Sequence, residues 1–451
     1  MRDHRKAREV DRRTFVKSAA AGLAGMTLGG SGNSIGAPQS GKMKVAAVVT
    51  EFTYRSHAHV ILENFLEPYL FRGRRIDPGM EVVALYVDQF PRSEIGREIA
   101  QSHGVPIYPS IARALCQGGD TLAVDAVLSI AEHGRYPVNA KGQTEYPRKR
   151  FFDEIVAVFE ASGKVAPVFN DKHLSYRWDW AKEMVDTSRR LKFPLMAGSS
   201  VPLAHRRPPL ELPREVELVG AVSIHGGGVE GYDFHGLELL QSMVEARKGG
   251  ETGVSSVQFL TGEALWEAAR AGVWSIPLAD LAMAAEIGPG APTLPELVKT
   301  PPFSRQPPHA IVLTYKDGFQ AAALRIGSSG TRWNFASLAV GDESPRASAF
   351  YSKLWDNRCL FKALSHAIQA HFRNGKPPYP VERTLLTTGA LDAAMDSRAA
   401  GGKLVATPHL EFSYTPVDFE AYRENGESWK LLTPDTPQPR GVDTSGRRLG
   451  G

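Results

Sequence analysis

Residues 164–201 constrain the fold of this chain more than any other stretch. An apolar run over 165–169 gives way to the polar turn Asn170-Asp171-Lys172-His173. Apolar residues then recur at helical spacing over 178–191, and a second apolar run, 194–197, ends in Gly198-Ser199-Ser200. Strand, loop, helix and strand in that order describe a parallel unit, because parallel neighbours need a long crossover and a helix supplies it. Ligands of open parallel sheets lie beyond the carboxyl ends of the strands. Lys172 and His173 occupy such a position.

The same alternation precedes this unit. Residues 44–49, 80–87 and 124–130 read as buried strands, with a short strand at 106–108. Helical stretches at 57–70, 93–102, 110–116 and 149–161 separate them. Ser56 is placed to cap the first helix. This spacing predicts an α/β domain with a doubly wound parallel sheet over 43–200. From 201 to 410 the pattern changes to an α+β domain with an open, largely antiparallel sheet. Its strands are expected at 216–224, in a hairpin of 311–315 and 319–326 turned at Lys316-Asp317-Gly318, and at 332–340 as the hairpin's neighbour. Its helices are expected at 234–247, 261–271, 278–285, 357–373 and on to Ser397. Residues 411–451 read as a polar tail, partly disordered.

The chain's formal charge of +4 is misleading. The first forty residues hold seven Lys/Arg and three Asp/Glu, which is the whole excess, so the remainder is balanced. A balanced body gives no clustered cations for nucleic acid or an anionic membrane. Those forty residues have the anatomy of an export signal. Asp11-Arg12-Arg13-Thr14-Phe15-Val16-Lys17 is similar to the twin-arginine pattern, and a short, Gly-rich apolar run and a polar exit follow, with cleavage near Ala37. The expectation is a protein handed to the twin-arginine export machinery and soluble outside the cytoplasm after cleavage. Cys116 and Cys359 fall in different predicted domains and read as small buried hydrophobes.

The turn and its neighbours resemble the glucose–fructose oxidoreductase / inositol dehydrogenase / MocA family. There the corresponding strand ends in Glu-Lys-Pro and an aliphatic residue, and the next strand reads Leu-Met-Val-Gly. Here the residues are Asp171-Lys172-His173-Leu174 and Leu195-Met196-Ala197-Gly198, and Lys182 to Arg189 matches the face of the intervening helix. The resemblance covers about residues 43–410. It implies a Rossmann domain, a C-terminal substrate and oligomerisation domain, and NAD(P)-linked oxidation or reduction of a sugar or polyol hydroxyl by a homo-oligomer. In that scheme Lys172 assists at the reacting hydroxyl and Asp171 orients it. His235, with Asp233 nearby, acts as base, and Arg135 and His173 face the substrate.

The cofactor end departs from the family. A pyrophosphate needs glycines after the first strand so that it can approach the backbone. Residues 50–56 contain none. Either Thr50, Thr53, Arg55 and Ser56 serve the phosphates in an altered mode, or no dinucleotide binds. Asp88 stands where the family places an acid against the ribose, and Ala131, Glu132 and His133 where its loop touches the cofactor. No metal site is expected, since His57 and His59 at i, i+2 point apart on a helix. Two alternatives stay open. One is a cofactor-free or metal-assisted carbohydrate lyase, hydrolase or isomerase, and the other a non-catalytic sugar-binding protein.

Overall fold

The computed structural model describes residues 41–351, 358–432 and 436–442. The export-signal pattern lies outside them. The first domain runs β1 (Met43–Val49), α1 (His57–Leu66), β2 (Tyr69–Phe71), β3 (Arg74–Ile76), β4 (Met80–Val87), α2 (Gly96–His103), β5 (Ile107–Tyr108), α3 (Ile111–Leu115), β6 (Ala126–Ile130), α4 (Arg148–Ser162), β7 (Val168–Asp171), α5 (Trp178–Leu191) and β8 (Leu195–Gly198). Six of these strands form one sheet in the order β5-β4-β1-β6-β7-β8, parallel at every pairing. The centre of β1 and all of β6 are buried, as expected of a parallel sheet covered by helices on both faces. The helix α5 buries Ala181, Met184, Val185 and Ser188, the i, i+3, i+4, i+7 stripe of its sequence, and stops at Lys192 in the left-handed conformation.

The second domain holds β9 (His205–Arg207), β10 (Leu218–Gly226), α6 (Gly231–Val244), β11 (Val254–Thr261), α7 (Gly262–Arg270), α8 (Ile276–Ile287), α9 (Leu294–Leu297), β12 (His309–Tyr315), β13 (Gln320–Arg325), β14 (Ser329–Ala339), β15 (Arg346–Tyr351), α10 (Arg358–Asn374), α11 (Val381–Ala399) and β16 (Val405–Ala406). Its eight-stranded sheet has the order β16-β11-β12-β13-β10-β14-β15-β9. Only β10 and β13 pair in parallel. The expected hairpin is present as β12 and β13. The strand expected beside it is not its neighbour: β10 stands between, pairing β13 on one side and β14 on the other. Alternating apolar residues fix which face of a strand is buried but not which strand lies next to it.

The chain's end returns to the first domain. The helix α10 lies on α1, where Lys362 and Ser365 meet Asn64 and Gln369 donates to the Asn64 carbonyl. The helix α11 packs against α5, α6, β8 and β11. Its Gly389 is obligatory, because a Cβ there would lie 2.3 Å from Leu410 and 2.7 Å from Trp178. Residues 411–432 form short turns that bury Phe419, Ser428 and Leu432. Tyr414 from this stretch donates to Glu245, which also holds Arg383 of α11.

Candidate active site

The carboxyl ends of β1, β6, β7 and β8 and the amino end of α6 converge on one buried cluster. Lys172 follows β7 and is bridged to Gly198 at the end of β8 by backbone hydrogen bonds of 3.1 and 3.2 Å. Its Nζ lies 2.6 Å from Glu132, and a Cβ added to Gly231, the first residue of α6, would stand 3.9 Å from it. Glu132 also receives Arg148 at 2.5 Å, and Arg148 donates to His173 Nε2 at 3.0 Å. Burial alone would raise the Glu132 pKa, but the charges of Lys172 and Arg148 prevail and hold it well below the carboxylate range.

Two further pairs flank Lys172. His57 Nδ1 meets Asp171 at 2.6 Å, and His235 Nδ1 meets the Ser199 hydroxyl at 2.6 Å. The His57 ring lies 5.3 Å from that of His133 and 6.5 Å from that of His235. Tyr232 stacks on Trp333 at 5.4 Å and 6°, and the His235 ring meets Trp333 edge-on at 5.4 Å. Burial, reinforced by the charges of Lys172 and His57, pushes His235 well below its usual pKa, so it is neutral near pH 7. Burial and Arg148 lower His173 in the same way.

Three of these positions carry backbone strain. Lys172, His133 and Glu230 have φ of 63°, 72° and 68°, the left-handed region that non-glycine residues seldom adopt. Such conformations cost on the order of 1–3 kcal/mol each and cluster where a site needs an exact placement. Several buried polar atoms here have no hydrogen-bond partner among the described residues: His133 Nε2, His173 Nδ1 and Trp333 Nε1; Glu230 Oε1 stands 3.4 Å from His173 Nε2. Native proteins leave few such atoms unpaired. Unpaired donors and acceptors around a lysine suit a ligand rich in hydroxyls.

The structure gathers some of the expected residues and disperses others. Lys172, His173, Glu132, His133 and His235 come together. Asp171 does not orient Lys172, because it holds His57, and Glu132 takes the lysine instead. Asp233 does not serve His235. It caps α6 by accepting from the Glu230 amide and receives both His225 and His309 on one oxygen, at 2.9 and 2.6 Å. These separations are hydrogen-bond contacts, shorter than the roughly 3.3 Å between two ligands of a tetrahedral metal. Arg135 is exposed and lies outside the cluster, its backbone tied to Gln89. His57, Arg148, Ser199, Glu230 and Trp333 are additions that sequence reasoning missed. His57 alone carried a signal, a histidine beside the Ser56 cap.

The cofactor end does not fit a dinucleotide held in the usual way. Phe52, Thr53, Tyr54 and Ser56 are all buried. The Thr53 amide donates to Ser56 Oγ, the Arg55 amide to His59 Nδ1 and the Ser56 amide to the Thr53 carbonyl, so three of the amides that could face a phosphate are already engaged. Thr50 gives its hydroxyl to the Glu132 carbonyl, and Ala131 is core. Asp88 is engaged by Tyr86, Tyr136 and Arg150 at 2.6–2.7 Å. Burial opposes its ionisation, but these hydrogen bonds lower its pKa. An acid already holding three donors has little capacity for ribose hydroxyls.

No family model and no curated protein matches the chain. Among solved structures it is similar to GenD2 from gentamicin A biosynthesis, solved in complex with NAD. The TM-score is 0.51 at 11% identity, covering 82% of this chain and 98% of that one. Apo scyllo-inositol dehydrogenase from Lactobacillus casei matches at TM-score 0.49 and 9% identity, over 82% and 99% of the two chains. The chain thus shares the two-domain fold of GenD2: a Rossmann-type parallel sheet followed by a mixed, mostly antiparallel sheet.

Acid should destabilise this arrangement. Burial lowers His133 and His371 from 6.5 to about 4. Between those values the unfolded chain binds protons that the native state refuses, so stability falls as pH drops, by up to about 1.4 kcal/mol per unit for each histidine. The Glu132 carboxyl, lowered in the fold, adds a loss in the same direction below about pH 4.5. Thermal midpoints measured from pH 7.5 to 4 should therefore decline steadily, with the steepest loss below 6.5. A flat profile would show that these histidines are not buried neutral.

Proposed function

We propose that this protein is an exported enzyme that moves a proton at a hydroxyl-bearing carbon of a sugar or polyol. The observation that carries the reading is the Lys172–Glu132 pair, held on a strained turn against the amino end of α6 and ringed by unpartnered polar atoms. The Lys172 ammonium, 2.6 Å from Glu132, can donate to a substrate oxygen and stabilise negative charge developing there. Neutral His235, steadied by Ser199, accepts the proton. The His57–Asp171 pair is a second base within reach of the same space.

The side chains support carrying out this chemistry without a dinucleotide, as in a lyase or isomerase, because three amides of the loop after β1 are already engaged and Asp88 already holds three donors. The fold, shared with a protein solved with NAD, supports a second reading. This is NAD(P)-linked oxidation or reduction of the same hydroxyl, with the cofactor entering in a different mode.

Native mass spectrometry of protein purified without added cofactor separates the two, together with calorimetric titration of NAD+ and NADP+ to millimolar concentration. The expected result is an unadorned mass and no saturable binding. A mass heavier by one dinucleotide, released on denaturation, would replace the cofactor-free form by the redox one.

A further inference from the structure

Four half-buried aromatic rings, Tyr146, Tyr176, Trp178 and Trp180, gather on the flank of the first domain. They line two cavities that share Tyr176 and Glu145. One, of about 570 Å³, is bounded by Asn139, Gln143, Tyr176 and Trp178 and by Asp392 from α11. The other, of about 450 Å³, is bounded by Tyr146, Tyr176 and Trp180. Both volumes are in the range of small-molecule sites, which combine aromatic walls with a few placed polar groups. Trp178 stacks on Phe412 and packs against His409, so it forms the end wall. Tyr176 and Trp180 stand edge to face at 5.3 Å, with the Arg177 guanidinium 4.5 Å from the Trp180 ring centre.

The charged groups along this groove are largely spent on one another. Lys141 pairs with Asp392 and Asp396, Lys149 with Asp153, Arg150 with Glu154 and Asp88, and Arg177 with Asp179. The Asn139 and Gln143 amides bond each other and nearby backbone, so what remains for a ligand is ring faces and the Glu145 carboxylate, which borders both cavities. That is the chemistry of a pyranose, whose C–H face is apolar and whose rim is hydroxyl. Behind the groove, the buried Arg148 guanidinium lies 5.0 Å from the centre of the Tyr146 ring and holds Glu132.

We propose that this groove binds a neutral oligosaccharide, placing sugar units on Tyr176 and Trp180 outside the Lys172 cluster. The assignment of substrate class rests on the carbohydrate reading above. The experiment is calorimetric titration of the full chain with cellotriose, maltotriose and xylotriose, repeated on Trp180→Ala, Trp180→Phe and Lys172→Met. The expected result is saturable millimolar binding of at least one trisaccharide, weakened tenfold or more by Trp180→Ala and restored by Trp180→Phe, which keeps the ring. Lys172→Met should bind as the parent does while losing turnover. If none of the three binds, or if Trp180→Ala binds as the parent, the groove is not a saccharide site. Normal turnover in Lys172→Met beside lost binding in Trp180→Ala would overturn the catalytic reading and leave the groove standing.

Discussion

Lys172→Met is expected to lower turnover by about 10²–10⁴-fold, the range over which a positioned proton donor contributes. The fold should survive, for a specific reason. Methionine has nearly the length of lysine, and Glu132 keeps its 2.5 Å contact with Arg148, so no buried carboxylate is orphaned. Turnover on a panel of sugars and polyols, followed beside the far-ultraviolet spectrum and the thermal midpoint, checks this. A variant that folds and works at the parent rate would shift the chemistry to His57 and Asp171, whose 2.6 Å contact needs nothing from the lysine.

Glu132→Ala should act the other way, on stability first. Lys172 and Arg148 are 4% and 0% exposed, and alanine would strip both of the carboxylate that they share. Breaking a buried ion pair from one side costs about 3–5 kcal/mol, because the remaining charge is left without compensation. Two cations would be left here, His173 being too weakly basic to help. Urea unfolding should show the free energy of unfolding falling by that amount, and Glu132→Gln, which keeps an acceptor oxygen, should recover part of the loss. A change below about 1 kcal/mol would mean that water reaches the pair.

The parallel sheet was legible because its strands are short, continuous apolar runs and its helices carry clean stripes, as on α5. Lys172 was singled out from its place after a strand, and His235 through the family resemblance; the structure brings both into one buried cluster. Their partners were not legible. Glu132 is forty residues from Lys172, His57 is 114 from Asp171 and Ser199 is 36 from His235, and only the strand order brings them together. Asp88 looked available in sequence because Tyr136 and Arg150, which occupy it, arrive from another loop and helix. The missing glycines were the most informative local signal. Their absence foretold a changed loop, but not that Phe52 and Tyr54 would turn inward and that the Thr53, Arg55 and Ser56 amides would already be engaged.

The seam between the two domains is closed from the far end of the chain. Helix α11 ends at residue 399 and fills the space between α5, α6 and β8, about two hundred residues after β8 itself. On a ribosome adding roughly 5–20 residues per second, the first sheet waits about 10–40 s for the helix that covers its last strand. During that interval Lys172 and Gly198 face water, α6 is not braced and no finished site exists. The nascent protein is therefore inert until α11 has emerged. A chain cut short before Val381 would leave both cores open along one line, a natural target for proteases that survey unfinished proteins.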